Sequence, residues 1–104
     1  MSRAIILVAA MLSLIAPARA EEKMVVDMGK MTCAELTKLG FQDFAGITMW
    51  MSGYYNASIR SMAIDLYEFA RAAKTVKDHC AANPRMTVMA AAERALGIKM
   101  PRPR

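Results

Sequence analysis

Few residues of this chain are placed to do chemistry. Two cysteines, Cys33 and Cys80, stand far apart, and the single histidine, His79, precedes the second of them. A Cys/Cys/His set is one ligand short of a structural zinc site, and no C-x-x-C occurs, so neither a zinc centre nor a thiol redox centre is expected. His79 has no second histidine or acidic cluster near it and is expected to be an exposed helix-end residue. Met49 and Met51 offer soft sulfur of the kind Cu(I) favours. On a helix, however, they point to nearly opposite sides, so no copper site is expected. No spacing supports a Ser-His-Asp set, a Gly-rich phosphate loop or a pair of carboxylates in one pocket. No enzyme activity, cofactor, catalytic residue or metal site is therefore expected. What remains is protonation. Glu35, Asp65 and Glu68 fall where helices are expected to begin, and there the dipole favours an ionised carboxylate by about 0.3–1 kcal/mol each. Protonation below about pH 4 removes that contribution.

The elements that position these residues follow an N-terminal segment of another kind. Arg3 supplies a positive charge, "AIILVAAMLSLIA" is an apolar run of thirteen residues, and Ala18-Arg19-Ala20 is an A-x-A cleavage site. Thirteen residues are too few to cross roughly 30 Å of hydrocarbon. Residues 1–20 are expected to be a bacterial export signal, which directs the mature chain to the periplasm. Cleavage after Ala20 leaves 84 residues, one domain. A core of that size gives on the order of 3–5 kcal/mol, so a staple is expected. An oxidising compartment favours a disulfide between Cys33 and Cys80 over free thiols. Such a bridge contributes on the order of 4 kcal/mol in the chain-entropy account.

The net charge of +5 includes Arg3 and Arg19. Without them, 12 basic residues against 9 acidic ones leave +3. The basic residues are scattered apart from the tail "KMPRPR" (residues 99–104), so no nucleic-acid groove is indicated. The tail is expected to be solvated and frayed.

Residues 21–30 read as a flexible lead-in. "MTCAELTKLG" then carries complete helix-end signals: Thr32 as N-cap with Glu35 at N3, Met31 and Leu36 as a hydrophobic staple, and Gly40 as terminator. A second helix is expected from about 41 to 56. Its periodicity gathers Phe44, Ile47, Met51, Tyr54 and Tyr55 on one face, flanked by Phe41. Gly46, Met49 and Gly53 form a separate stripe on the opposite side, with Trp50 at the edge. Two glycines within a helix cost about 1 kcal/mol each, which implies a close neighbour on that stripe. Residues 57–64 form a connection. A third helix starts at Asp65, with Glu68 at N3 and Ile64 and Phe69 as staple. Leu66, Phe69, Ala73, Val76 and Cys80 make its buried seam. Pro84 stops it. A fourth helix is capped by Thr87, turns Val88, Met89, Ala92 and Leu96 inward, and ends at Gly97. The expected fold, spanning 31–98, is an all-α, four-helix bundle stapled by one disulfide.

The segments "MTCAEL", "WMSGYYNA" and "VKDHCAANPRMTVMAA" resemble the HdeA/HdeB family of periplasmic acid-stress chaperones. The resemblance runs from about Met31 to Ala92, and the two cysteines match the pair that forms that family's single disulfide. It implies a compact helical protein without enzymatic activity, a homodimer at neutral pH. On acidification such a protein partly unfolds or dissociates, exposes apolar surface and holds acid-denatured client proteins in solution. Gly46, Met49, Trp50, Met51, Gly53 and Tyr54 are the expected dimer or client surface. This chain is more basic than better-known members of that family.

The physics permits that role. With all nine carboxylates neutral, 12 Lys/Arg, His79 and the α-amino group bring the mature chain to about +14. A strongly cationic chain that exposes methionine and aromatic side chains can bind unfolded clients while repulsion disperses the complexes. Nine mature methionines suit an adaptable surface. A rival from another class is a dedicated binding protein, such as the Rap1a/Tai-type periplasmic immunity proteins, whose "W-x-x-G-Y" pattern helix two shares. Two cysteines joining helix one to helix three favour the chaperone family.

Overall fold

The computed structural model describes residues 23–103. The segment expected to be an export signal lies outside the described residues. Among those residues there are four helices and no strand: α1 (Cys33–Thr37), α2 (Phe41–Ser58), α3 (Leu66–Ala82) and α4 (Val88–Leu96). Cys33 and Cys80 form a disulfide, with their Cα atoms 4.7 Å apart. The expected all-α fold with one disulfide is thus the observed one.

The local end signals act as their chemistry requires. The Thr32 hydroxyl accepts from the Glu35 N–H at 3.2 Å, and a Glu35 carboxylate oxygen accepts from the Thr32 N–H at 3.4 Å. Met31 and Leu36, the staple, are buried in the core. Asp65 accepts from the N–H groups of Tyr67 and Glu68, and Thr87 accepts from that of Ala90. Gly97 adopts φ 64°, ψ 33°, a left-handed conformation open to glycine at no steric cost. Gly40 differs from expectation. Its φ of −67° is not left-handed, and it serves as the N-cap of α2 instead of terminating α1. Only Lys38, Leu39 and Gly40 link the two helices, Lys38 being the C-cap of α1, and glycine is acceptable at an N-cap.

α1 is too short to hold its place by itself. It is sewn to the α3–α4 connection by its first N–H groups, which have no partner inside the helix. Cys33 donates to the Met86 carbonyl at 2.8 Å and Ala34 to that of Pro84 at 3.0 Å; in return Val88 donates to Met31 at 2.8 Å. The caps Thr32 and Thr87 are thereby paired in an isolated antiparallel bridge. The disulfide fastens the same junction. Around it packs a core of Met28, Met31, Leu36, Met51, Val76, Val88, Ala91, Ala92 and Met100.

α1, α3 and α4 pack on one another, and α2 approaches none of them as closely. α2 contributes Met51 and Thr48 as its buried residues, with Phe44, Ile47, Tyr54 and Tyr55 partly buried against the core. The buried Thr48 hydroxyl is satisfied within its own helix, donating to Phe44 at 2.9 Å. Across the gap, the Lys77 ammonium of α3 lies 5.3 Å from the Phe44 ring centroid, a cation–π distance.

Several expectations are corrected by position. Phe41, at the tip of α2, is 85% exposed, and Leu66 is 65% exposed. α3 has 17 residues and is about 25 Å long, whereas the nine residues of α4 span about 13 Å, so the start of α3 outruns its neighbour. Within the lead-in, Asp27 to Lys30 form a turn and Met28 is buried. The tail, expected to be frayed, is docked through Arg102, and Met100 is only 3% exposed. His79, expected to be exposed, is half-buried, and its Nε2 is buried without a hydrogen-bond partner.

Candidate functional site: an apolar cleft beside α2

Because α2 stands off from α3 and α4, a cleft of about 320 Å³ opens between them. Met51 and Tyr55 of α2, Phe69 and Val76 of α3, Leu96 of α4 and Met100 of the tail line it. Asp65 and Glu68 stand among its lining residues, which include no lysine, arginine or histidine. Such a cavity suits apolar side chains.

The six residues expected on a dimer or client surface separate into three settings. Met51 is 4% exposed and belongs to the cleft wall. Met49 and Trp50 are 44% and 46% exposed on the outer side of α2. Gly46 and Gly53 are exposed as well, and a Cβ at either would meet nothing within 4 Å. The neighbour implied by those glycines is therefore not another part of the described chain. Tyr54 joins the two sides: its ring stacks on Trp50, centroids 4.9 Å apart, and its hydroxyl donates to the Pro101 carbonyl at 2.9 Å.

Among the three expected acid-sensitive carboxylates, Glu35 completes the α1 capping box and Asp65 caps α3. The Glu68 carboxylate turns to Arg71, 2.9 Å away, instead of reaching back to the N-cap. Sequence reasoning missed a fourth, Glu93. It accepts from the Met100 N–H at 3.0 Å and from Arg102 at 3.0 and 3.3 Å. The Met100 hydrogen bond, then Arg102 by hydrogen bond and charge, then the Lys99 charge hold its carboxyl below the ordinary glutamate range, against a push upward from partial burial. The signal that would have found it is Gly97. A left-handed glycine reverses the chain, Ile98 donates back to the Glu93 carbonyl at 3.2 Å, and the following residues return along α4.

The short motifs around the cysteines now have a physical reading. "MTC" provides the cap and the disulfide of α1, and "CAANP" provides Cys80, the Asn83 side chain that donates to His79 at 2.9 Å, and the Pro84 carbonyl that receives α1. A family model for the HdeA/HdeB family matches residues 2–90, taking in both motifs and both cysteines. The chain belongs to the HdeA/HdeB family. Membership suggests, at the level of the family, an acid-stress periplasmic chaperone without enzymatic activity. No curated protein and no solved structure matches the chain. None of the helices among the described residues is long and apolar enough to cross a membrane.

Proposed function

We propose that this protein is an ATP-independent chaperone of the bacterial periplasm that acts in acid. It is exported by residues 1–20, rests as a homodimer at neutral pH, and on acidification exposes apolar surface that keeps acid-denatured proteins from aggregating. The observation that carries this reading is the state of α2. The helix is apolar on both sides, yet only Thr48 and Met51 are buried, and Phe41, Met49 and Trp50 face outward beside an apolar cleft. A helix that is apolar all round normally has partners all round. The outer stripe of Gly46, Met49 and Gly53 supplies a surface for a second copy at neutral pH, and the same surface with the cleft serves clients in acid.

Acid supplies both halves of the mechanism. Protonation loosens the hold of Glu93 on Met100 and Arg102, and loss of carboxylate charge removes the countercharges that hold the mature chain near +3. The resulting cation binds clients through methionine and aromatic groups and disperses the complexes by repulsion.

Light scattering tests the proposal. An aggregation-prone enzyme brought to pH 2–3 with a molar excess of the mature protein is expected to scatter far less than alone, and Trp50→Ala is expected to weaken the protection. Unchanged scattering would overturn the chaperone reading and favour a fixed-interface binding protein.

A further inference from the structure

We propose that residues 98–102 form a built-in strap that walls one side of the apolar cleft at neutral pH, and that Glu93 is the hook that holds it in place. Ile98 and Met100 are part of the cleft lining, and Met100 packs into the core behind that wall with 3% of its surface exposed. Two elements anchor the strap. α4 holds it through Glu93, which binds the Met100 N–H and the Arg102 guanidinium; α2 holds it through the Tyr54 hydroxyl on the Pro101 carbonyl. Pro101 fixes its own φ and disfavours helix at Met100, so the segment is kept extended as it passes the cleft. The strap lies outside residues 2–90, the span that the family model matches.

The charges that face Glu93 are Arg102 and Lys99, both carried by the strap. Its carboxylate is thus the countercharge to two cations on the segment it holds. Since the folded carboxyl titrates below its ordinary value, its contribution is complete above that value and is lost as pH falls through the folded one. The strap is closed at neutral pH and released once the pH has fallen below the ordinary glutamate range. On protonation the hook loses its charge-assisted bonds, and Lys99 and Arg102 are repelled by a chain growing steadily more positive.

The place Met100 holds also describes what could replace the strap on release: an extended segment carrying a methionine-sized apolar side chain with basic residues beside it. A client segment of that chemistry would take the vacated place, and this step alone rests on the chaperone reading above.

Methionine-methyl NMR on the mature protein, with Met100 assigned through Met100→Leu, tests the hook. In the wild type, the Met100 methyl is expected to move to a solvent-exposed position as pH falls below the ordinary glutamate range, before Met31 and Met51 leave theirs. In Glu93→Gln the open fraction at neutral pH is expected to rise about tenfold, with Met31 and Met51 unchanged. Should that variant not fold, Arg102→Gln is expected to raise the release pH by about half a unit, in keeping with an exposed ion pair. A single transition shared by Met100 and Met51 in the wild type would overturn the proposal. So would a Met100 titration left at its wild-type position by Glu93→Gln, or by Arg102→Gln where that variant stands in. Client scattering separates the two readings. Strap release without client protection leaves the strap and removes the chaperone; client protection with Met100 still buried removes the strap.

Discussion

Tyr54 and Pro101, 47 positions apart in sequence, are joined by a hydrogen bond of 2.9 Å, which ties α2 to the C-terminal segment. α2 otherwise stands off from its neighbours, so this bond and the burial of Met51 do much to fix where it lies. Tyr54→Phe deletes the donor and leaves the Pro101 carbonyl without it. A loss of about 1 kcal/mol is expected in urea unfolding at neutral pH, the usual net value of such a bond. The Trp50 stack needs only the ring, so its fluorescence is expected to stay native; a large change at Trp50 would mean that the hydroxyl positions the whole helix.

The Cys33–Cys80 disulfide closes the junction where α1 meets the end of α3. Its expected contribution of about 4 kcal/mol is comparable to the whole net stability of a core this small. Reduction, or Cys33→Ser with Cys80→Ser, is therefore expected to abolish most helical circular dichroism at 37 °C and neutral pH. Retention of a native thermal transition would show that the backbone stitching of α1 suffices.

Thr32 and Thr87 cap different helices but lie side by side, bridged by the Cys33–Met86 and Val88–Met31 hydrogen bonds. Each Thr→Ala change is expected to cost about 1 kcal/mol in chemical unfolding. Because the caps share that bridge, the double variant is expected to deviate from the sum by at least about 0.5 kcal/mol. Simple additivity would mean that the bridge transmits nothing between them.

Gly53 offers a test of the proposed dimer by the sign of its effect. A Cβ there meets nothing within the chain. For a monomer, Gly53→Ala is expected to stabilise α2 by about 0.5–1 kcal/mol. If the Gly46/Met49/Gly53 stripe packs on a second copy, Gly53→Leu is expected to shift sedimentation at neutral pH towards monomer. A monomeric wild type with a stabilised Gly53→Ala would remove the dimer.

How much of this was legible without coordinates follows from the range of each interaction. The caps at Thr32, Asp65 and Thr87, the reversal at Gly97 and the apolar face of α2 depend on neighbours within a turn or two, and they stand in the structure where the spacing puts them. The disulfide was legible because a small chain with two cysteines has one pairing available. Their place beside "MTC" and "CAANP" also carried the family.

Only the tertiary structure decided which apolar residues found partners. Leu66 fits the seam of α3 but stays exposed, since α4 is too short to meet it. Met100 belongs to a segment read as solvated, yet it is buried, because the turn at Gly97 sends the chain back to Glu93 and Tyr54. Each of those outcomes depends on residues brought together from distant parts of the chain, and periodicity along one helix holds no information about them. The amino-acid order set the helices, their ends and the staple; the packing of unequal helices set the cleft, the strap along one side of it and the uncovered side of α2.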